Sequence, residues 1–280
     1  MQTGQLAARS TVAPTADAAE RAFLAEQRWE RWRRVVLPLL GGAALLLVWW
    51  ALVEVFQVKP FIAPAPQVVA RTFYDKFGLL MTNLAPTALE AVGGFLLGNF
   101  AAIVTATVFV HCRSLEQAFF PVAVLINSIP VVAKAPILVL LLGNGLAPKI
   151  AIAGIICYFP TLVNMVRGLQ AVSPQAMELM HVLSASRREV FFKLRVPTSL
   201  PFLFSALKIA TSTATVGAIV GEWIGSQVGI GALIIQATYN FDSALLYATV
   251  LCGSAFSVLF FLVIRTIEQL VVRWDTGVTL

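Results

Sequence analysis

The sequence predicts an all-α membrane protein with six transmembrane helices. Three observations indicate this class: 59% of the 280 residues are hydrophobic, only 12% are charged, and the mean hydropathy is +0.84. A soluble domain carries about 25% charged residues, so most of the surface of this chain is not suited to water. The apolar residues are also gathered into runs long enough to cross a bilayer.

Each span needs about 20 mainly apolar residues. Six segments meet this requirement, namely residues 35–53, 87–110, 119–142, 149–165, 201–219 and 244–267. Pro121, Pro130 and Pro136 predict that the third segment is bent or interrupted. Between the spans, residues 57–83 predict a loop followed by an amphipathic helix over 68–80. The glycine-rich residues 222–242 predict a re-entrant or packed loop.

The basic residues predict the orientation. The segment 1–34 contains six arginines and lacks the hydrophobic core of a signal peptide, which predicts a cytoplasmic tail. With this tail inside, most loop cations also fall inside, including Arg113, Arg167, Arg187 and Arg195, whereas few fall outside. We therefore expect a multi-pass membrane protein with both termini cytoplasmic, divided into a tail (1–34), a transmembrane domain (35–275) and a C-terminal tail (276–280).

Several functions are disfavoured by the sequence. The net charge of +6 is typical of a membrane protein with basic cytoplasmic loops, and the aromatic residues do not alternate with basic ones as in nucleic-acid sites. His111 and His181 are the only histidines, and no catalytic triad, metal-ligand array or phosphate-binding loop is present. We expect no enzyme activity, no metal and no cofactor in this chain.

The loop 173–197, which lies between the fourth and fifth spans, is predicted to be structured. Ser173 followed by Pro174 is a helix-start signal, and Ser186 with Glu189 has the spacing of a capping box. Val196-Pro197 predicts the end of the second helix. In the first helix, Met177, Met180 and Leu183 share one side, which is suited either to a partner's groove or to packing on the membrane surface or on the chain itself.

This loop resembles the signature of binding-protein-dependent ABC importer permeases, E-A-A, three residues, G, nine residues, I-x-L-P. Glu178, Ser184, Leu194, Val196 and Pro197 occupy the positions of Glu, Gly, Ile, Leu and Pro without a gap. The sequence departs from the pattern at residues 179, 180 and 184. Residues 58–275 are also similar to the nitrate, sulfonate and taurine group, as in Val220-Gly221-Glu222, Leu207-Lys208-Ile209-Ala210 and Gly229-Ile230-Gly231.

The resemblance implies a type I ABC importer permease fold in which the first loop helix is a coupling helix. It implies cytoplasmic ABC ATPase subunits that bind ATP and Mg²⁺, a second permease copy, and an external solute-binding protein. The residues that it assigns to ATPase coupling are Met177, Glu178, Met180, His181, Leu183, Ser184, Ala185, Ser186 and Pro197. The alternative is a membrane anchor that recruits a cytoplasmic partner through this loop without transporting solute.

Candidate pathway residues are polar groups in or near the spans. The charged candidates are Glu90, Lys134, Lys208 and Glu222. The uncharged candidates are Thr211 and Thr215. Each has a structural alternative, namely ion pairing or snorkelling for the charges and helix packing for the threonines. For the solute, Glu178-Leu179-Met180 and Val220-Gly221-Glu222-Trp223 look more like permeases for nitrogen heterocycles, such as a pyrimidine, a thiamine precursor or riboflavin. They look less like those for nitrate, sulfonate, taurine or bicarbonate.

Overall fold

A computed structural model of the chain describes residues 16–272, and every regular element in that part is helical. The elements are α1 (Ala16–Val55), α2 (Pro66–Asp75), α3 (Phe77–His111), α4 (Arg113–Ser128), α5 (Val131–Leu142), α6 (Leu146–Gln170), α7 (Pro174–Val182), α8 (Arg187–Val190), a π-helical segment (Phe191–Arg195), α9 (Val196–Glu222), α10 (Ile230–Tyr239) and α11 (Ser243–Val271). The fold class predicted from the sequence is confirmed.

The chain divides into two compact units, residues 1–58 and 59–280. In the first unit, α1 includes the apolar segment Val36–Val55, whose leucines are exposed, as lipid-facing side chains are. In the second unit, α3, α6 and α11 are each long and apolar enough to cross a bilayer, as is the helical run Arg187–Glu222 that ends in α9. Because described helices extend several residues past most predicted spans, the predicted limits are mainly too short.

The third predicted span is not one helix. α4 and α5 meet at an angle of 100° at Ile129-Pro130, and counting this pair as one broken span brings the described total to six. The interruption expected from the prolines is therefore found at Pro130, whereas Pro121 and Pro136 lie within α4 and α5. With 16 and 12 residues, these helices are about 24 and 18 Å long, so neither crosses a bilayer core of about 30 Å alone.

Both predicted extramembrane segments are more ordered than the sequence indicated. The helix expected over 68–80 is broken at Lys76, which separates α2 from α3. The glycine-rich segment is a packed loop that contains α10, and α10 contacts α9 and α11.

The core of the second unit consists of α3, α6 and α9 in close contact. A Cβ atom on Gly98 would overlap the backbone of Gly154, and one on Gly217 would lie 2.7 Å from the Cα of Ala153. Small residues at these positions let the helix backbones approach closely, which drives helix association in membranes. The Gly94-x-x-x-Gly98 spacing in α3 was a visible signal for this contact.

Candidate functional site

The start of α7 has the geometry that its sequence predicts. Ser173 is the N-cap residue, and its hydroxyl oxygen accepts a hydrogen bond from the Ala176 N–H at 3.3 Å. Pro174 follows at the first helical position, where its missing N–H does no harm. The helix therefore begins at a defined residue.

The end of α7 is a Schellman motif. The Ser184 N–H donates to the His181 carbonyl at 2.9 Å, and the Ala185 N–H donates to the Met180 carbonyl at 3.0 Å. This motif requires a left-handed residue, and Ser184 has φ +52°. The position is the one at which the family signature has glycine, because glycine adopts this conformation without a Cβ penalty. Ser184 preserves the turn at some cost in strain.

The capping box predicted for α8 is present. The Ser186 hydroxyl oxygen accepts from the Glu189 N–H at 3.3 Å, and the Glu189 carboxylate accepts from the Ser186 N–H at 3.0 Å. Lys193 adds an exposed ion pair to Glu189 at 3.0 Å. In the loop 173–197, the start of α7, the end of α7 and the start of α8 are therefore all capped.

The prediction that Val196-Pro197 ends this helix is wrong. α8 continues through the π-helical segment into α9 without leaving helical backbone angles. Proline lacks an N–H and crowds the preceding turn, and the wider π turn provides the room that a regular α-helix does not. Pro197 therefore lies in a continuous helical connection between the loop and a span.

α7 exposes a different apolar side from the one suggested by its methionines. Met177 and Met180 are half-buried, whereas Leu179, Val182 and Leu183 are 59%, 79% and 65% exposed. These three side chains have the i, i+3, i+4 spacing of a helix face, which we call the α7 apolar face. The two methionines are therefore partly covered by the chain itself, which favours packing over exposure to a partner's groove. Leu183, which the sequence analysis grouped with them, belongs instead to the α7 apolar face.

The remaining residues assigned to coupling differ in exposure. Glu178 and His181 are exposed on α7, Ser186 is exposed at the start of α8, and Ala185 and Pro197 are half-buried.

The half-buried side of the loop faces the end of α3 across a cavity. A cavity of about 290 Å³ is lined by Val110 and His111 of α3, by Met177 and Ala185 of the loop, and by Arg187, Val190, Phe191 and Arg195. The His111 ring lies 4.9 Å from the Phe191 ring, and its Nδ1 is 2.8 Å from the Thr107 carbonyl oxygen. His111 thus contacts the segment that joins the loop to α9, a role for which the sequence carried no signal.

The charged candidates in the spans separate into paired and unpaired groups. Lys208 pairs with Glu268 at 2.9 Å, and Lys149 pairs with Glu90 at 2.9 Å. Lys134 is buried on α5, shortly after the break, and its ammonium makes no ion pair or hydrogen bond to a residue in the described part of the chain. Pairing therefore accounts for Lys208, while Lys134 is left for another role.

The threonine candidates lie in the helix core. Thr211 donates to the Lys208 carbonyl at 2.8 Å, and Thr215 donates to the Thr211 carbonyl at 2.9 Å. Both side chains are buried within α9, which favours packing over exposure to a pathway.

Glu222 holds the loop before α10 against α3. Its carboxylate accepts from the Thr87 hydroxyl and from the Gly231 N–H, both at 2.6 Å. The Ile230 N–H donates to the Thr87 oxygen at 2.8 Å, and the Gly229 N–H donates to Asn83 Oδ1 at 2.9 Å. Side chains on α3 thus accept hydrogen bonds from the backbone N–H groups of Gly229 and Ile230 at the start of α10. The sequence pointed to Glu222 and the glycines but not to Asn83 or Thr87, which no spacing connects to residues about 140 positions away.

Outside the spans, an ion pair joins the residue that follows α2 to the residue that precedes α11. Lys76 donates to Asp242 at 2.9 Å, and Asp242 caps α11 by accepting from the Leu245 N–H at 3.0 Å. Partial burial acts to raise the pKa of Asp242, but these two interactions outweigh it and the pKa lies below its ordinary value.

Comparison with known proteins identifies the class of this helical bundle. Residues 94–274 match the family of binding-protein-dependent transport system inner membrane components. The chain belongs to this family and is a permease subunit of an ABC importer. It is a multi-pass inner-membrane protein and not an enzyme, since ATP hydrolysis belongs to a partner ATPase. The family also implies a solute-binding protein as partner.

Individual relatives cover most of the chain. It is 34% identical to the riboflavin transport system permease protein RibX of Chloroflexus aurantiacus, over 90% of this chain and 94% of that protein. It is 31% identical to the formylaminopyrimidine transport permease protein ThiX of Halalkalibacterium halodurans, over 82% of this chain and 92% of that protein. Among solved structures, an inward-facing MetNI methionine ABC transporter matches with a TM-score of 0.53 and 17% identity, over 74% and 97% of the two chains.

Proposed function

We propose that this permease transports a small nitrogen heterocycle and that α7 couples transport to an ATPase in the cytoplasm. The observation that carries the coupling proposal is the α7 apolar face, in which three adjacent apolar side chains remain exposed while Met177 and Met180 are half-buried. An amphipathic helix of this kind fits a hydrophobic groove on a partner. Glu178, four residues before Val182, lies at the edge of the face and supplies a polar group there, whereas the exposed His181 lies on another side of α7.

The connection behind α7 is suited to transmitting force. α7 is capped at its first and last turns, and its Met177 lines a cavity together with residues at the end of α3. From α8 onward the backbone is helical into α9, one of the three core helices. Movement of the loop by an ATPase would therefore be transmitted to α9, because no flexible segment separates α8 from α9. ATP and Mg²⁺ would bind the ATPase, and two packings of the bundle would alternate with its state.

The relatives support the solute class. One is named for riboflavin and another for formylaminopyrimidine, and both compounds carry nitrogen heterocycles. Lys134 is the candidate for contact with the solute, because a buried ammonium without an ion pair can donate hydrogen bonds to ring carbonyl or nitrogen acceptors. Two copies of the chain would enclose the pathway, with both termini in the cytoplasm.

The coupling proposal is tested by uptake into vesicles that contain the permease, its ATPase and the solute-binding protein. Val182→Asp places a charge on the α7 apolar face and should reduce both ATPase co-purification and uptake at least tenfold, since a buried unpaired charge at an interface costs several kcal/mol. Ala171→Asp adds the same charge at an exposed loop position that precedes α7 and lies outside that face, and it should retain both activities. Equal effects of the two variants would contradict the assignment.

The same assay separates transport from anchoring. A permease that binds its ATPase normally but accumulates no solute in the complete system would support the membrane-anchor alternative. Lys134→Met should raise the solute concentration for half-maximal uptake without reducing ATPase association, and Lys134→Arg should retain part of the affinity. Unchanged uptake by Lys134→Met would remove Lys134 from the pathway.

A further inference from the structure

A second cavity lies at the end of the bundle that carries α7 and α8. It has a volume of about 780 Å³ and is bounded by the ends of α3 and α6, the beginning of α4 and the π-helical segment. Arg113 of α4, Arg167 of α6 and Arg195 of the π-helical segment all line it. We call it the arginine cavity.

The positive charge of this cavity is not compensated by the described residues. Within residues 16–272, none of the three arginines makes an ion pair, and Glu116 is the only acidic residue that lines the cavity. The Glu116 carboxylate instead accepts from the Gln170 amide at 3.3 and 3.5 Å. Three arginines and one glutamate leave a formal charge of +2 around a space open to a ligand.

The orientation rule for membrane proteins does not account for this arrangement. It explains why each arginine is at this end of a helix, but not why three elements direct them into one cavity, where like charges repel. An anion in the cavity would replace that repulsion with attraction. Guanidinium groups are planar donors that bind phosphate oxygens in pairs.

We infer that the arginine cavity binds a phosphate group, carried by an anionic phospholipid of the adjacent leaflet. Phe109, Phe120 and Val163 provide an apolar wall beside the arginines, as the glycerol and first acyl carbons of a lipid require. Basic pockets between spans at the cytoplasmic side are suited to anionic head groups. Assignment of this end to the cytoplasm rests on the proposed orientation, but the phosphate site itself does not.

A bound head group would also contact the coupling path. Arg195 lines both the arginine cavity and the cavity beneath α7. It belongs to the π-helical segment through which the loop continues into α9. Lipid bound at Arg195 would therefore restrain the same segment that the coupling proposal requires to move as a unit.

The test measures lipid binding by the full-length chain, purified in non-ionic detergent, with native mass spectrometry and thermal unfolding. The probes are phosphatidylglycerol, phosphatidylcholine with the same acyl chains, and inorganic phosphate. We expect phosphatidylglycerol to bind at least tenfold more tightly than phosphatidylcholine. Arg113→Gln and Arg167→Gln should each remove about tenfold of that affinity, which is the usual effect of one charge-assisted hydrogen bond.

Two further variants control for charge and folding. Arg265→Gln removes an exposed arginine of α11 that does not line the cavity, and it should leave the affinity unchanged. Glu116→Gln retains all three arginines and should tighten phosphatidylglycerol binding, so it tests the site without requiring a loss.

The outcomes separate the sources of phosphate. Arginine-dependent stabilisation by phosphatidylglycerol but not by inorganic phosphate supports the lipid, and arginine-dependent competition by inorganic phosphate assigns the cavity to a free anion with the same chemistry. Equal binding of the two lipids, with no phosphate effect, would overturn the inference. A preference for phosphatidylglycerol that is the same in the arginine and Glu116 variants would do so as well.

Discussion

Removal of the Lys149 ammonium should destabilise the fold more than any other single charge change among the pairs described. Glu90 is 1% exposed and Lys149 is 12% exposed, and their side chains meet at 2.9 Å. Lys149 also donates to Ser226 at 2.8 Å, and Glu90 Oε2 has no hydrogen-bond partner among the described residues. Lys149→Met would leave the buried Glu90 carboxylate without its cation.

The magnitude follows from the burial of the pair. Breaking a buried ion pair by removing one partner costs about 3–5 kcal/mol. At about 2–4 °C per kcal/mol for a domain of this size, the unfolding midpoint should fall by roughly 6–20 °C. Glu90→Gln keeps the side-chain shape and leaves Lys149 partly open to water, so its effect should be smaller. Lys149→Met added to Glu90→Gln should then cost much less than Lys149→Met alone.

The assay is thermal unfolding of each purified variant in one detergent, followed by tryptophan fluorescence. Lys193→Met is the matched control, since it removes the Lys193–Glu189 pair, whose side chains are largely exposed, and should change stability by less than about 1 kcal/mol. The reasoning is refuted if Lys149→Met unfolds within about 2 °C of Lys193→Met, or if the two changes at Glu90 and Lys149 are simply additive.

Three other variants test separate features. Ser184→Gly should stabilise the loop by about 1 kcal/mol by relieving a positive φ, and Ser184→Val should do the opposite, as measured by protease resistance of the loop. Gly98→Leu should prevent close packing of α3 on α6 and abolish a sharp unfolding transition, whereas Gly78→Ala, at a position with open space, should not. Because the pKa of Asp242 is lowered on folding, its contribution to stability is present above its unfolded value and is lost as the pH falls through the folded value. The difference in unfolding midpoint between the unaltered chain and Asp242→Asn should therefore be present at pH 7 and decrease as the pH falls below about 4.

Local features of the fold were predictable because their causes are local. The N-cap at Ser173, the capping box at Ser186 and the break near Pro130 each depend on residues within a few positions of one another. The spans were predictable for a similar reason, since a run of apolar residues is enough to define a helix in lipid. Helix limits were less accurate, because polar residues at helix ends continue the helix without adding to the apolar run.

Sequence alone thus determined the class of this protein, its six-span frame and the loop that carries the family signature. Tertiary structure decided which side of α7 is exposed, that Pro197 lies within a continuous helical path, and that Lys134 lacks the ion pair that Lys208 has. It also decided that three arginines share one cavity and that Asn83 and Thr87 meet the loop before α10. Each of these depends on contacts between residues far apart in the chain, and periodicity along one helix carries no information about which neighbour will cover it.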